Sequence, residues 1–221
     1  MKNKTLSFIL LASLTFSCRN AGNEVRNQTP SDQDVIKITA FKSPGNNYIL
    51  EQGAIIRGDT TIRNLALVFT GDEFADGAEY IATTLNANGI NASFFLTGNY
   101  YRNKKFTEAL KKLHKNGNYL GAHSDRHLLY CDWTKRDSLL VTKQEFLDDL
   151  ENNYAEMKKL GIKKEEALFF LPPYEWYNDS ISKWTGEAGL RLINFSPGTR
   201  SNADYTYPDM GEKYVDSKTI H

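Results

Sequence analysis

Two histidines four positions apart, His123 and His127, are the residues of this chain that most clearly could bind a metal or take part in a reaction. They are two of the four histidines in the sequence, and they follow a short apolar segment that contains Gly121. Two imidazoles at this spacing on a helical turn share one face and can bind one metal ion. Satisfied or surface histidines explain most such pairs, so a metal site needs a third ligand from elsewhere.

Acidic residues that could supply this ligand come directly after an earlier apolar run. Asp72, Glu73 and Asp76 follow residues 65–69. Asp72 would complete a His-His-carboxylate site that leaves one coordination position for water. The alternative is that an acidic residue here caps the next helix, and Asp76, two residues before that helix, fits this role better.

A third group of residues combines rigidity with aromatic side chains. Pro172, Pro173, Tyr174 and Trp176 follow another apolar run. Each proline fixes its own φ angle, and aromatic faces suit sugar rings. A hydrophobic lid over the core explains the same residues equally well. Asp204, which follows a Pro-Gly turn, is a weaker signal of the same kind.

The elements that would position these groups alternate along the chain. Strands are expected at 65–69, 92–98, 119–121, 167–171 and 190–195, and helices at 78–88, 105–115, 143–160 and 181–188. Repeated strand–helix units imply an α/β fold with a parallel sheet, open or closed into a barrel. The continuously apolar run 65–69 predicts a strand buried on both faces. Catalytic and ligand-binding residues of such folds lie at the carboxyl ends of strands, and each of the three groups follows a predicted strand.

Composition limits the class of function. The chain has 221 residues, 40% apolar and 24% charged, which is typical of one soluble globular domain. Lys plus Arg and Asp plus Glu number 27 each, so no strong field would attract nucleic acid, and a neutral or weakly charged substrate is expected. Cys131 has no partner for an intrachain disulfide in a secreted chain and is expected to be a buried small residue.

The N-terminus has the features of an exported protein. Lys2 and Lys4 precede an apolar run, 6–16, that is too short to span a bilayer. Ser17-Cys18 resembles a bacterial lipid-attachment site, so we expect a periplasmic or envelope protein whose membrane contact is a lipid anchor at Cys18; simple secretion is the alternative. The expected segments are a signal peptide at 1–18, a linker at 19–34 and a folded domain at 35–221.

Taken in order, these segments resemble the polysaccharide deacetylase (NodB homology) family, also called carbohydrate esterase family four. The matching segments are 68–73, 92–98, 117–127, 172–175 and 204–205, which resemble the family patterns T-F-D-D-G-P, A-T-F-F-x-x-G, G-x-E-I-G-x-H-[ST]-x-x-H, R-x-P-Y-G and D-x-x-D-W. The resemblance spans residues 64–205. It implies a distorted (β/α) barrel of about seven strands, with zinc or a similar divalent ion held by Asp72, His123 and His127.

The chain also departs from the family pattern. In an ungapped alignment the two family aspartates fall on Thr70 and Gly71, and the arginine of R-x-P-Y-G becomes Leu171. Asp72 is therefore expected to bind the metal, and Glu73 or Asp76 to take a proton from water. The family's closing L-x-H segment has no counterpart before the end of the sequence, so the barrel domain is expected to be truncated at its C-terminus; the alternative is that a partner segment supplies the last strands.

The resemblance implies a metal-dependent hydrolase that removes N-acetyl or O-acetyl groups from a polysaccharide or envelope glycan. Pro173, Tyr174, Trp176 and Asp204 are the expected substrate contacts. The replaced motif residues favour an alternative, a lipoprotein that binds glycans without cleaving them. A metallohydrolase of another substrate class depends on the histidine pair alone.

Overall fold

The computed structural model of the protein describes residues 47–200 and 202–220. The predicted signal peptide, the linker and the lipid anchor at Cys18 lie outside this part of the chain, as does His221. In the part that is described, every helix is too short or too polar to cross a membrane.

The described strands and helices alternate as the sequence pattern predicts. The strands are β1 Ile49–Glu51, β2 Ala54–Arg57, β3 Val68–Gly71, β4 Ser93–Leu96, β5 Tyr119–Ala122, β6 Phe169–Phe170 and β7 Arg191–Leu192. The α-helices are α1 Ala78–Ala87, α2 Gly98–Arg102, α3 Thr107–Lys115, α4 Lys143–Lys159, α5 Asp179–Glu187 and α6 Ser217–Ile220. Short 3₁₀ helices cover Lys104–Phe106, Lys164–Glu166, Pro173–Glu175, Ala203–Tyr205 and Pro208–Lys213.

Five strands form one parallel sheet in the order β3-β4-β5-β6-β7, and β1 and β2 form an antiparallel hairpin. A parallel bridge between Ile55 and Ile193 places β2 next to the end of β7. The prediction of an α/β fold with a parallel sheet is confirmed. The sheet is consistent with a distorted barrel, and the described strands leave that barrel open.

Strand β3 differs from its prediction. It begins at Val68 rather than at Leu65, and Leu65 and Val68 are 91% and 37% exposed. The expectation that residues 65–69 are buried on both faces is therefore wrong. The physical reason is that β3 is the last strand of the described sheet and pairs with β4 alone, so a continuously apolar segment here lies at an edge.

Helix α4 packs against strand β5, which leads into the histidine pair, and against helix α2. It begins with a capping box, in which the Thr142 hydroxyl accepts from the Glu145 amide and the Glu145 carboxylate accepts from the Thr142 amide. Its inner face buries Phe146, Leu150 and Met157 completely. Cys131 is also fully buried and free, as predicted.

Candidate active site

The carboxyl ends of the central strands are level with one another. Gly71 of β3 pairs with Leu96 of β4, and Leu96 pairs with Ala122 of β5. The residues that follow these three are Asp72, Thr97 and His123. The register of the sheet therefore brings the predicted acidic and imidazole groups to one edge, where α/β proteins build their sites.

Asp72 is held at this edge by the end of strand β4. Its Oδ1 accepts a hydrogen bond of 2.7 Å from the Thr97 hydroxyl and one of 3.3 Å from the Asn99 side-chain amide. The same Thr97 hydroxyl accepts from the Tyr100 amide and so caps helix α2. Two hydrogen-bond donors therefore orient one carboxylate oxygen of Asp72. The residue as a whole is half-buried.

His123 is almost fully buried and fixed through both its backbone and its ring. Its backbone N–H donates to the Leu96 carbonyl and to Asn153 Oδ1, at 3.2 and 2.9 Å. Its ring Nδ1 lies 2.7 Å from the Leu171 carbonyl oxygen, which can only accept. Nδ1 therefore carries the proton of the neutral ring, and Nε2 keeps the lone pair that a metal ligand needs.

Both imidazoles are held in their neutral form at neutral pH. Burial lowers the pKa of His123 to about 3, with a further lowering by His127 and an opposing effect of Asp72. Burial also lowers the pKa of His127, against the negative charges of Asp72, Asp149 and Glu73. Asp72 therefore lies close enough to influence both rings.

The histidine pair does not lie on a helical turn, which corrects the sequence-based geometry. Residues 123–127 form an irregular bend in which Ser124 and His127 have left-handed φ angles of 74° and 56°. Non-glycine residues adopt this region rarely, mostly where surrounding contacts impose it. The bend still brings the two rings together, with centroids 5.1 Å apart.

Asp149 on helix α4 imposes this bend. Its carboxylate is buried and accepts from the Ser124 hydroxyl at 2.6 Å, from the Asp125 amide at 3.0 Å and from the Arg126 amide at 3.2 Å. The Tyr130 hydroxyl adds a fourth hydrogen bond, at 2.9 Å. Asp149 accepts the hydrogen bonds of the backbone amides in the bend, and it is a positioning residue for the two histidines.

Sequence reasoning missed Asp149 and its neighbour Asn153. A signal was present, because both residues lie four apart on the apolar face of an amphipathic helix, beside Leu150 and Met157. Polar side chains at core positions need hydrogen-bond partners, so two of them on one buried face indicate a fixed polar feature opposite.

The proline-rich loop after β6 lies against the histidine pair. The Tyr174 ring contacts His127 edge-on, with centroids 4.5 Å apart, and the preceding residue, Pro173, is buried. Tyr174 and Glu175 both have left-handed φ angles, 60° and 51°. Trp176 stacks on Trp133, a residue that the sequence did not single out.

The two other acidic candidates of the β3 loop lie further out. Glu73 and Asp76 are exposed and line an open groove between this loop and helix α3. The negative charge of Glu73 acts on the His127 ring, whereas no described interaction connects Asp76 with either histidine. Asp76 does not cap helix α1 either, because the N-cap position is Gly77 and it has no side-chain cap.

Asp204 lies in the 3₁₀ helix Ala203–Tyr205, and its negative charge raises the pKa of another carboxyl group, that of Glu175. Burial, and then the charge of Asp204, raises the pKa of Glu175 to about 7. The structure thus places a second acidic pair next to the proline-rich loop, and the sequence had indicated only one of its members.

The donor set at the strand ends suits a divalent cation by its chemistry. Both imidazoles are neutral, and Asp72 is close enough to influence them electrostatically. His123 uses Nδ1 for its hydrogen bond to the Leu171 carbonyl, so its Nε2 lone pair is available to a metal ion. In residues 47–200 and 202–220, however, no three His, Cys, Asp or Glu side chains are gathered closely enough to hold a metal ion. The ligand types fit, and the carboxylate would have to close on the rings.

Comparison with known proteins gives a consistent result. The family model for polysaccharide deacetylase matches residues 57–193. A chitin deacetylase from Pestalotiopsis sp. is 27% identical over 158 residues, which cover 71% of this chain and 48% of that protein. The chain spans about half the length of the curated relatives that it matches.

Solved structures show the same fold. A family 4 carbohydrate esterase from Bacillus anthracis superposes with a TM-score of 0.57 at 25% identity, over 66% of this chain and 65% of that chain. A variant of a family 4 pseudoenzyme from the same organism superposes with a TM-score of 0.52 at 23% identity, over 73% of this chain and 54% of that chain.

Proposed function

Because the chain belongs to the polysaccharide deacetylase family, we propose that it hydrolyses acetyl groups on a polysaccharide or envelope glycan. One observation carries the proposal: His123 and His127 lie together after β5, and Asp72, which follows β3 at the same edge of the sheet, is close enough to influence both rings electrostatically. The balanced charge of the chain suits a neutral acetylated sugar better than an anionic polymer.

Asp72, His123 and His127 would hold a divalent metal ion, and zinc is the best match to this donor set. When bound, such an ion supplies Lewis acidity toward an acyl oxygen and makes a water molecule more acidic. The neutral state of both histidines supports this assignment, because a protonated imidazole cannot ligate.

Glu73 would take the proton from the attacking water. Its charge acts on His127, whereas no described interaction connects Asp76 with either histidine, so Glu73 is preferred of the two carboxylates. A general base has to reach its proton directly or through one water molecule.

A backbone amide of the proline-rich loop would stabilise the developing oxyanion. The amides of Glu175 and Trp176 already donate to the Pro172 and Pro173 carbonyls. We therefore assign this role to the amide of Tyr174, whose ring lies beside His127.

The function is tested by acetate release from N-acetylglucosamine oligomers with zinc-loaded full-length protein. His127→Ala should abolish release, because it removes a metal ligand. The matched control is His114→Ala, which changes an exposed histidine on helix α3 and should leave the rate unaltered. Full activity of His127→Ala would disprove the proposal.

The assignment of the base is tested separately. Glu73→Gln keeps the size of the side chain and should lower kcat by about a hundredfold or more, as loss of general-base catalysis does. Asp76→Asn should leave kcat close to the unaltered value. The opposite pattern would transfer the role of base to Asp76.

A second candidate function is glycan binding without catalysis. Two features favour it: no three-ligand set is gathered in the described residues, and Thr70, Gly71 and Leu171 replace residues of the family pattern. This function predicts glycan binding that a chelator does not weaken, together with no acetate release at any metal concentration.

A further inference from the structure

Three aromatic side chains in contact lie next to the histidine pair and form the aromatic platform: Trp133 and Tyr174, which are exposed, and Trp176, which is half-buried. We propose that a pyranose ring of the glycan, adjacent to the acetylated unit, stacks on this platform and that Trp133 is its principal contact. The inference rests on the proposed function, because it concerns the same polymer and extends its binding site beyond the loop after β6.

The rings of the platform contact one another through Trp133, and two of them are exposed. Trp133 stacks on Trp176 with centroids 5.5 Å apart and an interplanar angle of 29°, and it meets Tyr174 edge-on at 5.5 Å. Trp133 is 56% exposed and Tyr174 is 45% exposed. Since Tyr174 also contacts His127, the platform leads directly from the histidine pair to the surface.

Trp133 is presented by a tightly built loop. Residues Cys131 and Leu139 form an antiparallel bridge that closes it. Asp132 Oδ1 accepts from the Thr134 and Lys135 amides at 2.8 and 2.7 Å, so the backbone on both sides of Trp133 is fixed. A large apolar side chain is therefore held outward by the local structure.

The same loop is fastened to the proline-rich loop through Arg136. Its Nε donates to the Tyr177 carbonyl at 2.6 Å, and its own carbonyl accepts from the Asn178 side chain at 2.8 Å. The guanidinium carbon of Arg136 lies 4.4 Å from the centre of the Trp176 ring. Trp176 Nε1 also donates to the Asp132 carbonyl at 3.2 Å. Rings that are already positioned lose little side-chain entropy when a ligand binds, which favours affinity.

The chemistry of this surface matches a neutral sugar ring. Aromatic faces carry negative electrostatic potential, and the C–H groups on one face of a pyranose carry a weak positive charge. A protein partner would need an interface on the order of 1,000 Å², which three side chains do not provide. Contiguous exposed aromatic residues beside a catalytic site mark a binding surface rather than an accident of composition.

The test measures calorimetric binding and KM for N-acetylglucosamine oligomers of increasing length, using the full-length protein. Trp133→Ala should weaken binding of the longer oligomers by about tenfold or more, and its KM relative to the unaltered protein should rise with oligomer length. Trp133→Phe keeps an aromatic face and should recover most of the affinity. The control is Tyr80→Ala, a 78% exposed aromatic on helix α1, which should bind as the unaltered protein does.

The outcomes separate this inference from the proposed function. Length-dependent loss in Trp133→Ala supports the platform even if the unaltered protein releases no acetate, in which case only the deacetylase proposal fails. Equal oligomer affinity of Trp133→Ala and the unaltered protein overturns the platform, as does an equal loss in Tyr80→Ala. Absence of oligomer binding by the unaltered protein also overturns it.

Discussion

The histidine loop, residues 123–127, and the acidic loop, residues 72–76, follow β5 and β3 at the same edge of one sheet but are built in different ways. The histidine loop is anchored from beneath by the buried side chains of Asp149 and Asn153. The acidic loop is held by two hydrogen bonds to Asp72, and its next residues, Glu73 and Phe74, are exposed.

This difference shows that only half of the candidate site is preorganised. The His123 ring is fixed by its hydrogen bond to the Leu171 carbonyl, whereas the acidic side chains follow the edge strand of the described sheet. Ligand-binding loops are commonly drawn from the least stable parts of a fold. In the described residues, suitable ligand types are thus present at this edge of the sheet without a gathered three-ligand set.

The largest expected effect concerns the anchor of the histidine loop. Asp149→Ala leaves four donors, three of them buried, without their acceptor and should lower the free energy of unfolding by about 3 kcal/mol or more. Urea denaturation measures the change. Asp76→Asn is the matched change in the acidic loop and should stay within about 0.5 kcal/mol. Similar losses in both variants would remove the contrast between the loops.

A pair of asparagines refines the same contrast. Asn153→Ala removes the side-chain acceptor of the His123 amide and a donor to Leu96, and should cost about 2 kcal/mol. Asn99→Ala on the acidic side removes one exposed bond to Asp72 and should cost about 0.5 kcal/mol or less. Thermal denaturation compares the two, and faster hydrogen exchange at the His123 amide is expected only in Asn153→Ala.

The free energy of unfolding is expected to depend on pH through the carboxyl group of Glu175 in the proline-rich loop. Its pKa rises from 4.5 to about 7 on folding, first through burial and then through Asp204. The protonated form is favoured in the folded state, so this contribution to stability is full below pH 4.5 and is lost as the pH rises through 7.

Glu175→Gln cannot ionise and should therefore lose less stability than the unaltered protein between about pH 5 and pH 8, by about 1–2 kcal/mol. Urea denaturation at both pH values measures this difference. Asp204→Asn should reproduce a smaller part of it, because it removes only the second cause. Parallel pH profiles of Glu175→Gln and the unaltered protein would contradict the coupling.

An effect smaller than those at Asp149 and Asn153 is expected where the acidic loop meets strand β4. Thr97→Val keeps the shape of a buried side chain but removes the cap of helix α2 and the donor to Asp72, at a cost of about 1 kcal/mol. The melting temperature should fall slightly, and hydrogen exchange should quicken at the Tyr100 amide. Quickened exchange at the His123 amide as well would mean that the two loops are one cooperative unit.

The sequence alone predicted much of the fold because the signals that it uses are local. Helix α4 was expected at 143–160 and is found at Lys143–Lys159, since its apolar spacing and its capping residues all lie within the segment. The order of the motifs indicated the family, and the rule that sites lie at strand ends brought Asp72, His123 and Tyr174 into consideration together.

Only the tertiary structure decided how these residues meet. That β3 is the edge of the described sheet, that Ser124 and His127 are left-handed, and that Trp133 reaches Tyr174 all depend on partners distant in sequence. Asp149, for example, shapes a bend 24 residues before it through its hydrogen bond to the Asp125 amide. Periodicity and spacing record which residues share an element, and long-range packing determines which elements touch and with what geometry.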